Sequence, residues 1–155
     1  MMLRRTAFIG FAVCLLCLGG LFAQEGKTWQ TQETVWDVTT IKIYPNADKE
    51  YLNNLKRTWA AGMSKAKQAG LINDYKILGS VADNGGDYNL MLIIEYPNLA
   101  ALDANKENLA KWQKLDDEMK AIMPEEETDK ITSTVYPKVR DIKGETLMRE
   151  IKFLP

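Results

Sequence analysis

The residues that could do chemistry in this chain are few, and most of them interrupt strand-like segments. Lys42, Glu95, Arg149 and Glu150 stand in stretches that are otherwise apolar or β-branched. Once such a stretch is covered, a charge within it must pair or change its ionisation. It can line a polar cleft, or it can form an ion pair at an edge or interface; the second use is the commoner one. Trp36, Trp59, Trp112 and Tyr96 supply aromatic area for an apolar pocket, or equally for an ordinary core. Trp36, Lys42, Trp59, Glu95, Trp112 and Arg149 form the candidate ligand-binding set. No catalytic residue is assigned.

Missing residue types narrow the chemistry further. The 155 residues include no histidine and only two cysteines. Cys14 and Cys17 both lie in the apolar run from Ala7 to Leu18, so their Cys-x-x-Cys spacing is not a redox motif. Structural zinc loses its usual ligands, and Cys–His and Ser–His nucleophiles are impossible. No metal and no cofactor are expected. Acid–base work near neutral pH would fall to a shifted carboxylate, lysine or tyrosine. Gly26-Lys27-Thr28 fails as a phosphate loop, because the required earlier glycine falls on Leu21. Asp83-Asn84-Gly85-Gly86-Asp87 lacks the spacing and closing acid of a calcium loop and reads as a hairpin turn.

The N-terminus has the three-part layout of a secretory signal: basic Arg4 and Arg5, the apolar run, then Leu21-Phe22-Ala23 before polar residues. The run is short for a membrane span of about 20 residues. Residues 1–23 are expected to be a cleaved signal peptide, leaving no stable membrane span, and the protein is expected to be periplasmic or secreted. Cleavage would leave 132 residues, enough for one domain, with 18 basic against 21 acidic side chains and a formal charge of −3. A mildly acidic chain without a basic block is not expected to bind nucleic acid.

Residues 24–34 are polar and read as a flexible leader before a domain over 35–155. Val35 to Tyr44 alternates with strong β-branching and ends at Pro45. A helix follows, capped by Asn46 or Asp48, with Leu52, Leu55, Trp59, Gly62, Met63, Ala66 and Ala69 as its apolar stripe and Gly70 as its stop. Tyr75–Val81 and Tyr88–Tyr96 read as strands around the hairpin turn. Asn98 can cap a second helix whose stripe is Leu99, Leu102, Leu109, Trp112, Leu115, Met119 and Ile122, with a break possible near Ala100-Ala101 and Asn105. Pro124 followed by three glutamates is a helix start. Residues 124–145 get no firm element, since Thr132 to Val135 oppose a helix and Pro137 interrupts it. Leu147 to Leu154 alternates as a last strand. The order is β-α-β-β-α-β, and Tyr-Pro-Asn ends a strand and opens a helix twice, at 44–46 and 96–98.

With this order, the strand Trp36-Asp37-Val38-Thr39, the stretch Gly70-Leu71-Ile72 leading into Tyr75-Lys76-Ile77-Leu78, and Asn89-Leu90-Met91-Leu92 before Tyr96-Pro97-Asn98, the chain resembles the dimeric α/β-barrel superfamily over about residues 35–154, and more narrowly its small exported members of unassigned activity. The resemblance implies an α+β fold: a ferredoxin-like β-α-β-β-α-β subunit forming a dimeric α/β barrel, sheet on sheet, with a pocket between sheet and helices of each subunit. Members of that superfamily include cofactor-free monooxygenases, haem enzymes, lactone isomerases and plain binding proteins, and fold alone does not choose among them. The haem enzymes commonly hold iron through histidine, and the cofactor-free members usually use one. A chain without histidine departs from both patterns.

The expectation is an exported, non-enzymatic homodimer, binding a small apolar or aromatic ligand between sheet and helices. A cofactor-free oxygenase or isomerase working without histidine is the catalytic alternative. A structural or partner-binding module of the cell envelope is the third.

Overall fold

The computed structural model describes residues 27–81 and 85–155. The expected signal segment, both cysteines, and Asp83 and Asn84 of the hairpin turn lie outside them. Four antiparallel strands form one sheet: β1 (Trp29–Ile43), β2 (Asp74–Gly79), β3 (Leu90–Tyr96) and β4 (Arg140–Phe153), in the order β2-β3-β1-β4. The helices are α1 (Asp48–Leu55), α2 (Ala61–Gln68), α3 (Lys106–Ile122), α4 (Glu125–Lys130) and α5 (Tyr136–Val139). Strand order and connectivity are those of the ferredoxin-like split βαβ fold, and the expected element order holds.

Register sets what each face of the sheet carries, because directly opposed residues share a face. Val35 lies opposite Tyr96 and Ile41 opposite Leu90, and all four are buried under the helices. Residues 36, 38, 40 and 42 of β1 therefore point to the other, open face. Between β1 and β4 the register slips twice: between Thr31 and Val35, and again where Thr40 faces Gly144 but Ile41 faces Ile142, leaving Lys143 as the extra residue of a bulge. Gly144 suits this spot, since a Cβ there would stand 3.3 Å from Thr40 Oγ1.

Two apolar clusters fill the space between sheet and helices. One gathers Ile41, Ile43, Tyr51, Leu55, Leu90, Leu92, Met123, Ile131, Tyr136 and Val139. The other gathers Val35, Ala66, Leu71, Ile72 and Tyr96. Asn89 tightens the first. Its side-chain oxygen accepts from the Ile43 N–H at 2.7 Å and its amide donates to the Ile43 carbonyl at 3.1 Å, so a side chain prolongs the β1–β3 ladder.

Several expected boundaries shift. β1 begins at Trp29, so Trp29 to Thr34 are strand and not loose leader. They are held because β4 is nearly as long, with Trp29 opposite Phe153. The cap of α1 is Ala47 without a side-chain bond; Asn46 instead takes a left-handed φ of 65° after Pro45, a conformation asparagine tolerates. Gly70 stops α2 at φ 70°, as expected, with the Leu71 N–H reaching back to the Ala66 carbonyl at 2.9 Å. Asn98 caps a short 3₁₀ turn over Leu99–Leu102, and Asn105 then caps α3.

Two helix stripes are out of phase with the sequence pattern. Leu52 is exposed while Tyr51 is fully buried, because a π-helical turn over Lys56–Ala60 inserts an extra residue and re-phases the face. Leu109 and Ile122 of α3 are also exposed. Residues 124–145 are ordered throughout. Pro124 precedes α4, a second π turn covers Ile131–Val135, Pro137 lies in the first turn of α5, and β4 starts at Arg140. The hydroxyls that oppose a regular helix are used within it: Thr132 donates to the Thr128 carbonyl at 3.0 Å, and Ser133 to that of Asp129.

Candidate functional site

The helix side of the sheet holds a polar constellation inside the first cluster. Tyr51 comes from α1, Thr58 from the first π turn, Tyr136 from α5 and Arg140 from the first position of β4. The tyrosine rings meet edge to face at 5.4 Å. The Arg140 guanidinium carbon lies 4.7 Å from the Tyr136 ring centre and 5.5 Å from that of Tyr51. The Thr58 and Tyr136 hydroxyls share a hydrogen bond of 2.6 Å. The Tyr51 hydroxyl and Arg140 Nε are buried and have no partner. Burial pushes the Tyr51 hydroxyl up to about 12, against the lowering effect of Arg140. A cleft of about 310 Å³ opens beside this cluster between α5 and β4, lined by Thr132, Tyr136, Pro137, Arg140, Asp141 and Ile142.

A second group lies on the same side of the sheet. Asp37 on β1 has Leu147 opposite on one flank and Ile94 on the other. One of its carboxylate oxygens is buried without a partner. Burial first, and then the Glu145 charge, push the Asp37 carboxyl above its ordinary value; burial and the same two carboxylates raise the Tyr96 hydroxyl. Because the folded state holds the Asp37 proton more tightly than the unfolded chain, this group's contribution to stability falls as pH rises through the carboxylate range. Asp37→Asn is therefore expected to gain about 1 kcal/mol at pH 7. The gain should vanish in acid, where aspartate is already protonated. Urea melts of both proteins at pH 3 and pH 7 check this.

The open face of the sheet is apolar at its centre, with Val38 opposite Ile93 and Trp36 opposite Met148. Leu78 and Met148 are about half exposed, and among the described residues both apolar clusters under the helices lie on the other face. Charges sit at one margin and are held. Lys76 Nζ lies 5.2 Å from the Trp36 ring centre, Asp74 pairs with Lys67 at 2.7 Å, and Glu95 accepts from the Asn73 amide at 3.3 Å. β4 carries exposed apolar side chains toward both faces, Met148 on one and Leu147 and Ile151 on the other.

The six sequence-derived candidates divide between the two faces. Trp36 and Glu95 are direct cross-strand neighbours on the open face, and Lys42 stands on the same face near its other end, donating to the Gly86 carbonyl at 3.0 Å. Arg149 lies opposite Val35, whose side is the helix side. Trp59 packs against the first cluster and edge-on to Tyr75 at 5.7 Å; Trp112 packs against the second. The tryptophans are thus not gathered around one space. Tyr51, Tyr136 and Arg140 are not among these candidates. Tyr51 lies one residue off the apparent stripe, and the other two fall in the stretch given no firm element.

The fold and the site define the class of protein: a ferredoxin-like α+β subunit with one sheet face open. No family model matches the chain, and no curated protein matches it significantly. Among solved structures it is similar to a protein from Shewanella oneidensis (8% identity, 82% of this chain and 99% of that one, TM-score 0.44). It is also similar to a dimeric ferredoxin-like protein from an uncultured marine organism (12%, 80% and 91%, TM-score 0.44). A third is SnoaB, a cofactor-independent oxygenase from Streptomyces nogalater (10%, 78% and 92%, TM-score 0.34). At these identities the ferredoxin-like class rests on the chain's own strand order and connectivity.

Proposed function

We propose that this chain is an exported homodimer whose open sheet faces close on each other into a barrel, and that it binds a small ligand between sheet and helices without catalysing a reaction on it. The apolar, uncovered centre of the sheet carries the first part. A face holding Trp36, Val38, Ile93 and Met148 needs a cover, and the paired charges at its margin tolerate one. The layout of residues 1–23 supports export to the periplasm or beyond, and no helix among the described residues is long and apolar enough to cross a membrane. The aromatic and arginine constellation beside the cleft favours binding. A tyrosine held near 12 is a poor proton acceptor at neutral pH. The catalytic alternative rests instead on Asp37, whose carboxyl is displaced toward neutrality.

A native mass spectrum of the protein purified gently from its own envelope fraction tests each part. The expected species is a dimer of chains beginning at Gln24, with added ligand mass. An intact N-terminus would remove the export reading, and a monomer at micromolar concentration would remove the barrel. A bare dimer would weaken the ligand reading in favour of an envelope-structural role.

A further inference from the structure

We propose that the cleft between α5 and the start of β4 binds the carboxylate end of a small organic acid, with Arg140 as its cationic partner. This extends the ligand-binding part of the proposed function to the chemistry of the ligand, and rests on it.

Three observations converge on the site. Arg140 is half buried, and its Nε is fully covered with no acceptor. Among the described residues its guanidinium makes no ion pair; what holds it is the pair of rings, at 4.7 and 5.5 Å. The neighbouring carboxylate is already committed, since Asp141 accepts from the Tyr44 hydroxyl at 2.7 Å and from Lys143 at 3.1 Å. A guanidinium taken partly out of water without an anion is costly, and a planar two-oxygen acceptor matches its fork best. The second observation lies behind the cleft wall: Tyr51 is wholly buried, its ring centre 5.5 Å from the same guanidinium, and its hydroxyl is unpartnered. The third is the space itself. Arg140 and Tyr136 line it with Pro137, Ile142, Thr132 and Asp141, the last held by Tyr44 and Lys143, and its volume of about 310 Å³ is near the lower limit of small-molecule pockets. The Tyr136 ring, Pro137 and Ile142 give one part of the wall an apolar surface that suits the body of an organic acid better than a bare inorganic ion.

Isothermal titration of the mature protein with sodium benzoate, benzamide and inorganic phosphate tests the inference, with Arg140→Met and Arg140→Lys alongside. Methionine keeps apolar bulk against the tyrosine rings and lacks the charge, so the variant should melt no lower than the parent. Benzoate is expected to bind, benzamide at least tenfold more weakly, and phosphate more weakly than benzoate. Arg140→Met should lose benzoate about a hundredfold, and Arg140→Lys, a charge without the fork, should fall between. Equal binding of benzoate and benzamide, or unchanged benzoate binding in Arg140→Met, overturns the carboxylate assignment and leaves a neutral apolar pocket standing. Phosphate binding tighter than benzoate overturns the organic-acid class. Failure of all three probes overturns this inference, while the ligand reading beneath it falls separately, on a bare dimer in the native mass spectrum.

Discussion

Ile93→Glu should turn the proposed dimer into folded monomers. Ile93 sits on a central strand, on the open face, with Val38 across from it on one side and Lys76 on the other. Within a subunit the new carboxylate would meet water and Lys76, so the sheet and both apolar clusters on its far side should persist. In the closed barrel the same group would be desolvated at the centre of the interface, where an uncompensated charge costs several kcal/mol. A loss of about 3 kcal/mol corresponds to more than a hundredfold weaker association. Sedimentation velocity across a concentration series checks it, with far-UV circular dichroism confirming the fold. A monomeric parent, or a variant that stays dimeric with unchanged affinity, would show that the open face is not the interface. Lys76→Glu at the margin should cost much less, since it removes a partly solvated contact to Trp36.

Tyr51→Ala is expected to cost about 4 kcal/mol, the usual range for truncating a large buried aromatic. Tyr51 has no exposed surface, touches Tyr136 edge to face and supports the Arg140 guanidinium, so its loss leaves a void and strips one ring from a buried cation. Tyr51→Phe should behave in the opposite sense. It keeps the ring and removes a buried hydroxyl that has no partner, so stability should hold or rise by up to about 1 kcal/mol. Tyr136→Phe breaks the 2.6 Å bond to Thr58 and should lose about 1 kcal/mol. Chemical denaturation of the three variants checks the ordering. Should Tyr51→Phe lose as much as Tyr136→Phe, the Tyr51 hydroxyl would have a partner in solution. A stabilising Tyr51→Phe would instead mark the unpartnered hydroxyl as a group retained for something other than folding, as binding sites often require.

Much of the architecture was legible because its signals are local. Alternation over Val35–Tyr44, the Gly70 stop, the capping role of Asn98, the break near Asn105 and the two Tyr-Pro-Asn boundaries each depend on near neighbours along the chain. The candidate site was less legible. The binding set drew on the most conspicuous residues, the tryptophans and the charges within strands, yet Trp59 and Trp112 pack into two different clusters while Trp36 faces the other side of the sheet. A residue type announces what it could do and not what it will be near.

The sequence by itself determined the β-α-β-β-α-β order, the absence of histidine and thiol chemistry after residue 23, and the alternation of sides over Val35–Ile43, because these follow from composition and a two-residue period. Only the tertiary structure decided the rest. Pairing with the long β1 drew residues 140–146 into β4, and hydrogen bonds to a distant strand overrode a stretch with weak local preference. The π turn at Lys56–Ala60 rotated α1 until Tyr51, and not Leu52, met the sheet. Arg140 then came to rest on Tyr51 and Tyr136, the first of them across a sequence separation that no periodicity spans. Burial depends on what packs against a residue, and in this subunit that is settled by partners far away along the chain.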